Sequence, residues 1–170
     1  SMWHSHMSDI LRFVVLYKYG GVYIDTDVLV LKAFPEAVVK NDGTVKLPFV
    51  GYQDGDILNG AVFGAPIRHN WVIQLLEKAV IKYRRPNELQ WSDIGPSLIT
   101  TFGINNKDVY KFTSQAFQPF PWDRDHCFSD CDPNAVEHSI MVHLNTEVHH
   151  GKIVSKNSTC AGIMEMTRVY

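Results

Sequence analysis

From Val22 to Leu31 the chain reads Val-Tyr-Ile-Asp-Thr-Asp-Val-Leu-Val-Leu, an apolar stretch broken only by Asp25, Thr26 and Asp27. A run this rich in β-branched residues belongs in a sheet, so two carboxylates must sit at the rim of a core. If the backbone is extended there, Asp25 and Asp27 project to the same face, because strand side chains alternate with period two. Two neighbouring anions repel and are costly to desolvate. A divalent cation resolves the conflict. Mg²⁺ and Mn²⁺ prefer oxygen ligands, and Mg²⁺ sites commonly combine one or two carboxylates with substrate phosphates. A D-x-D on its own is more often a strand ending in a solvated turn, so the surroundings decide.

Upstream, Ser8 reads as a helix N-cap. Ile10, Leu11 and residues 13–16 are apolar on nearly every face, which predicts a buried helix. Gly20-Gly21 stops it, since glycine tolerates the left-handed conformation after a helix end. Residues 22–24 form a buried strand. Residues 45–52 and 57–65 read as two further strands around an Asp54-Gly55 turn. Residues 70–83 carry helical periodicity through Val72, Leu75, Leu76, Ala79 and Val80, and Arg84-Arg85-Pro86 ends that helix. A short helix starts at Pro96 with Leu98, Ile99 and Phe102 on its buried side. Residues 117–122, aromatic and proline-rich, read as an ordered loop, residues 140–144 as a strand and 161–168 as a terminal helix. This alternation predicts a mixed α/β domain, and 170 residues suit a single domain over 1–170.

Composition narrows the function classes. A net charge of -2 gives no electrostatic case for nucleic acid or an anionic membrane. No apolar run approaches the roughly 18–20 residues of a membrane span. The three cysteines, Cys127, Cys131 and Cys160, allow at most one disulfide, with Cys160 pairing to either of the others. Asn157-Ser158-Thr159 fits the N-glycosylation pattern and points weakly to a secretory compartment.

Ser8-Asp9-x-x-Arg12, Leu16-Tyr17, Gly20-Gly21, Tyr23, Asp25 and Asp27 form one continuous pattern. It resembles the glycosyltransferases with a sugar-binding region containing a DXD motif. That family includes the α1,4-galactosyltransferase that makes globotriaosylceramide, the α1,4-N-acetylglucosaminyltransferases and the yeast initiating α1,6-mannosyltransferase. The spacing from Asp9 to Asp27 is also similar to that of the clostridial glucosylating toxins. Further along, Asn59-Gly60-Ala61-Val62, Gly95-Pro96-x-Leu98, Phe117-x-Pro119-x-Pro121-Trp122 and Val142-His143-Leu144-Asn145 resemble segments of the α1,4-transferases. The tryptophan those relatives carry within the last of these is absent here. A haloacid-dehalogenase-like phosphatase also places D-x-D after an apolar strand. It wants Thr or Val two residues after the second Asp, where Leu29 stands.

The resemblance implies a GT-A-like fold with a mixed sheet flanked by helices, and a retaining transfer of a hexose or N-acetylhexosamine. The donor would be a nucleotide-diphosphate sugar such as a UDP-sugar, and the acceptor a hydroxyl of a glycan or glycolipid. It makes Asp27 a metal ligand for Mn²⁺ or Mg²⁺, with Asp25 contacting the ribose or the metal through water and His143 a further ligand or diphosphate contact. Asp9 and Arg12 hold the donor sugar's hydroxyls. Tyr23, Asn59 and Asp93 join them as substrate contacts, and Trp91 and Trp122 offer faces to sugar rings. Catalysis falls to Asp25, Asp27 and Arg12. The family places nucleotide-binding strands before the Ser-Asp-x-x-Arg helix, so the N-terminal strands are expected to be missing, with exposed apolar edges that invite a homo-oligomer. The resemblance further implies a Golgi-lumen enzyme, a type II membrane protein through a segment beyond this chain. A non-catalytic carbohydrate- or metal-binding relative is the alternative.

Overall fold

A computed structural model describes residues 2–122, 127, 134–146 and 155–166. The chain opens with helix α1 (Met2–Tyr19), followed by β1 (Gly21–Ile24) and β2 (Val28–Val30). A hairpin follows, β3 (Phe49–Asp54) and β4 (Ile57–Ala65), then α2 (Asn70–Tyr83) and α3 (Pro96–Gly103). Next come β5 (Tyr110–Phe112), α4 (Ser114–Phe117), β6 (Met141–His143) and α5 (Thr159–Met166). The predicted mixed α/β architecture is present. A four-stranded sheet runs β1-β4-β3-β5, antiparallel except for the parallel β3–β5 pair, and β2 pairs antiparallel with β6 in a separate ribbon.

The hairpin and α2 lie where periodicity places them, and Pro96 occupies the first turn of α3 as expected. Other expectations need correction. Helix α1 begins six residues before Ser8, which is therefore mid-helix and not a cap. Nor is α1 buried all round. His6, Asp9, Arg12, Phe13 and Leu16 recur at helical spacing and form its one buried stripe, while Leu11, Val14, Val15 and Tyr19 are exposed. Strand β3 starts at Phe49, and Val45 instead makes an isolated bridge to Val39. Residues 110–112 and 114–117 add a short strand and a single helical turn that alternation alone does not reveal. Helix α5 starts at Thr159, and residues 167–168 of the predicted terminal helix lie outside the described residues.

Strand β4 is the spine, buried from Leu58 to Ala65. One face meets α1, α2 and α3 through Phe13, Leu16, Phe63, Trp71, Leu75 and Ile99. The other meets an aromatic group of Phe49, Phe112 and Phe117, against which Phe34 stacks. A third cluster seals β2, β6 and α5 through Val142, Leu144, Cys160 and Ile163. Cys160 pairs with Cys127 there, across Cα atoms 5.1 Å apart. That selects one of the two pairings open to Cys160 in the sequence; Cys131 lies outside the described residues.

The α1–β1 junction depends on Gly20, at φ +66°. Its N–H bonds the Leu16 carbonyl at 2.8 Å, and a Cβ there would lie 2.6 Å from the Ile67 backbone nitrogen. Backbone does not give way as a flexible side chain does, and the left-handed conformation alone costs a non-glycine residue about 1–2 kcal/mol. Gly20→Ala is therefore expected to destabilise the chain by about 2 kcal/mol or more in urea denaturation. An unchanged midpoint would contradict this close approach.

Candidate functional site

Where β1 ends, the Asp25 N–H donates to the Ala61 carbonyl at 2.8 Å, and the Val28 N–H reaches back to the Asp25 carbonyl at 3.3 Å. Residues 25–28 therefore form a tight turn and not an extended strand, which corrects the period-two argument. The carboxylates converge for another reason. The turn carries the chain from the four-stranded sheet to the β2–β6 ribbon, leaving both aspartates at the seam between them. Register then delivers His143, which pairs with Val28. Its Nε2 lies 3.3 Å from Asp27 Oδ1.

Asp27 is clasped by the end of β6. Its carbonyl accepts from the Leu144 N–H at 2.9 Å, and its Oδ2 accepts from the Thr146 N–H and hydroxyl at 2.9 and 3.0 Å. Burial alone would raise the pKa of this carboxyl. The His143 and Thr146 hydrogen bonds outweigh it and hold Asp27 well below the usual carboxylate range. Asp25, Asp27 and His143 each offer one ligand atom, all within 4.8 Å of one another. Two carboxylates and an imidazole suit a divalent cation of intermediate hardness, and all three side chains are only partly buried.

Arg12 adjoins Asp25. Its guanidinium bonds the Gly60 carbonyl, pairs with Asp9 at 3.1 Å and lies 3.7 Å from Asp25 Oδ1. It also stacks over the Tyr23 ring at 4.8 Å, while the Tyr23 hydroxyl donates to Asp25 Oδ1 at 2.6 Å. One cation thus serves two carboxylates. Burial of Asp9 outweighs the pull of Arg12, and the Asp25 charge adds to the effect, so the Asp9 carboxyl is pushed up to about 6. Gly60 and Gly95 let this cluster close. A Cβ at Gly60 would crowd Arg12 at 3.2 Å, and one at Gly95 would lie 2.5 Å from Asp9 Oδ1. The buried Arg12 Nε–H has no hydrogen-bond partner among the described residues.

The structure thus brings together Asp9, Arg12, Tyr23, Asp25, Asp27 and His143. Asn59 is 1% exposed, and its amide is committed internally, Oδ1 to the Ala61 N–H and Nδ2 to Gln118 Oε1. Asp93 stands apart, bonded to Lys82 of α2 and to the Gln90 N–H. Trp91 and Trp122 are surface residues. Gln118 and Thr146 escaped the sequence reading. No motif marks Thr146, and Gln118 stands at an unspecified position of the Phe-x-Pro segment.

Residues 1–44 match the family described as "Glycosyltransferase sugar-binding region containing DXD motif". The human lactosylceramide 4-alpha-galactosyltransferase is 30% identical over 140 residues, covering 75% of this chain and 36% of that protein. The Pongo pygmaeus protein of the same name is 30% identical, with 75% of this chain and 59% of that protein covered. The human alpha-1,4-N-acetylglucosaminyltransferase is 30% identical over 98 residues, covering 58% of this chain and 25% of that protein. The chain therefore spans less than two thirds of each of these relatives. No solved structure matches it significantly.

Proposed function

Because the chain belongs to the glycosyltransferase family with a DXD-containing sugar-binding region, we propose that residues 1–170 form a metal-dependent hexosyltransferase domain of GT-A-like fold. It moves a hexose or N-acetylhexosamine, with retention, from a UDP-sugar or related nucleotide donor to a glycan or glycolipid hydroxyl. The observation that carries this reading is the convergence of Asp25, Asp27 and His143 beside the buried Arg12–Asp9 pair.

Asp27, Asp25 and His143 would hold Mn²⁺ or Mg²⁺, which when bound neutralises the charge of a departing diphosphate. Thr146 keeps the Asp27 carboxylate fixed and ionised for that task. Arg12 is held rigidly by Asp9, Tyr23 and the Gly60 carbonyl, so it presents positive charge without reorganising. Its Nε–H is a buried donor without a partner among the described residues, which costs about 1–3 kcal/mol unmet. Asp9 is buried and paired with Arg12, which makes it a poor nucleophile for a double displacement. A front-face transfer fits better, with the acceptor proton passing to the leaving diphosphate's own oxygen. Asn59 acts from behind, through Ala61 and Gln118.

No described helix is long and apolar enough to cross a membrane. The Cys127–Cys160 disulfide favours an oxidising compartment such as the Golgi lumen. Calorimetry with Mn²⁺ and UDP tests the site. Asp27→Asn is expected to weaken Mn²⁺ binding by about 100-fold or more, since it removes a charged ligand. Equal affinity in wild type and variant would overturn the assignment. Metal binding without UDP release from any UDP-sugar would favour the non-catalytic relative.

A further inference from the structure

We infer that Gln118 is a positioning residue that fixes which ring nitrogen of His143 faces Asp27; this deepens the metal-site reading above and rests on it for its functional meaning. Two backbone groups whose donor and acceptor roles are not adjustable fix the hydrogen-bond directions from either end. At one end the Ala61 N–H donates to Asn59 Oδ1. That orients the Asn59 amide, and its Nδ2 donates to Gln118 Oε1 at 3.1 Å. At the other end the Phe120 carbonyl, an obligate acceptor, takes Gln118 Nε2–H at 2.9 Å. Both ends independently turn Gln118 the same way, with its oxygen inward. A flipped amide would set Nε2 against the Asn59 Nδ2 donor and Oε1 against a carbonyl oxygen.

Gln118 Oε1 also lies 3.0 Å from His143 Nδ1. An amide oxygen only accepts, so Nδ1 carries the ring proton and donates. In the neutral imidazole the other nitrogen, Nε2, is then bare. It is Nε2 that lies 3.3 Å from Asp27 Oδ1. A lone pair facing a carboxylate is repulsive, and the contact becomes favourable only with a positive charge between or upon the two groups. A bound cation supplies it in the loaded chain. The relay therefore presents His143 as a ligand and stops it from settling as a neutral Nε2–H donor to Asp27. Gln118 and Asn59 are 4% and 1% exposed, so no water competes freely for either amide, and the ring sits on a fixed acceptor.

The test reads the ring directly. Long-range ¹H–¹⁵N spectra of ¹⁵N-histidine-labelled, metal-free chain are recorded at alkaline pH with the ring neutral, and His143 is assigned by its absence in His143→Gln. Wild type is expected to show the Nδ1–H tautomer, and Gln118→Leu to move to the Nε2–H form. Gln118→Glu, which keeps an oxygen towards Nδ1, is expected to retain the wild-type tautomer. Mn²⁺ affinity is expected to fall about 10–100-fold in Gln118→Leu. A wild-type Nε2–H tautomer would overturn the relay even if Mn²⁺ binds well. Absence of Mn²⁺ binding with the Nδ1–H tautomer present would overturn the metal reading and leave the relay standing. Because the wild-type spectrum decides the matter, a variant that fails to fold does not rescue the inference.

Discussion

Arg12→Met is expected to destabilise the chain by about 3–5 kcal/mol at pH 7.5, the cost of removing one partner from a buried ion pair. Asp9 is left 4% exposed without its cation, Asp25 loses its nearest positive charge, and the Gly60 carbonyl loses a charged donor. Much of this loss is expected to return in the Arg12→Met/Asp9→Asn double variant, because the uncompensated anion has gone. A double-mutant cycle in urea measures the coupling. Strict additivity would show that the two side chains do not share one buried environment.

The same pair gives a pH signature. The Asp9 carboxyl stands at about 6 in the folded chain against 3.8 for the unperturbed group. Between these values the folded state binds more protons than the unfolded one, so stability falls as pH rises from about 4 to 6. The total approaches ~3 kcal/mol for a shift of this size. Asp27 works in the opposite sense and in a lower window. Its depressed pKa contributes stability above about 4 that is lost as pH falls further. Asp9→Asn is expected to flatten the pH 4–6 slope and leave the acid limb below it. Persistence of the upper slope in that variant would place its origin elsewhere.

Cys160→Ser is the other large effect. Its partner Cys127 is 33 residues away, and closing a loop of that length restricts the unfolded chain by about 3–4 kcal/mol on the chain-entropy account. The bond also anchors α5 against Val142 and Leu144, the strand that delivers His143 and leads to Thr146. The expected results are a lowered Tm and weakened Mn²⁺ binding in the variant, with dithiothreitol reproducing both in wild type and adding nothing in the variant. Peptide mapping that joins Cys160 to Cys131 would overturn the pairing.

The legible part of the fold was the part governed by local rules. The hairpin at residues 49–65, α2 and the Pro96 helix start follow from turn chemistry and periodicity over enough residues to be distinctive. Strand β5 and helix α4, at three and four residues, are too short to show a period and exist because β3 and Phe117 hold them. The wrongly placed start of α1 has a physical reason too. Ser8 is a good cap only if no helix precedes it, and Met2 to Met7 continue one. In the site, charged residues at fixed spacing advertised themselves, but their neutral supports did not. Gln118 and Thr146 are polar residues of common type, and their importance comes from partners 25 and 119 positions away. The adjacency of Asp25 and Asp27 was read correctly for a reason that does not hold, since a turn and not a strand brings them together.

Three consecutive residues of β4 supply the site's framework with main-chain atoms or an internal amide: Asn59 towards Gln118, the Gly60 carbonyl to Arg12, and the Ala61 amide and carbonyl to Asn59 and Asp25. Main-chain groups are the same whatever side chain a codon specifies. Mutation can therefore alter the apolar residues along this strand, within the limits of packing, without moving the groups that hold the charged cluster. What cannot drift is alignment. A single inserted or deleted residue between Leu58 and Val62 would turn the main-chain groups away from Arg12 and Asp25, because successive residues of a strand direct their N–H and C=O groups to opposite edges. Over evolutionary time this strand should accept substitutions in its apolar side chains and reject insertions and deletions.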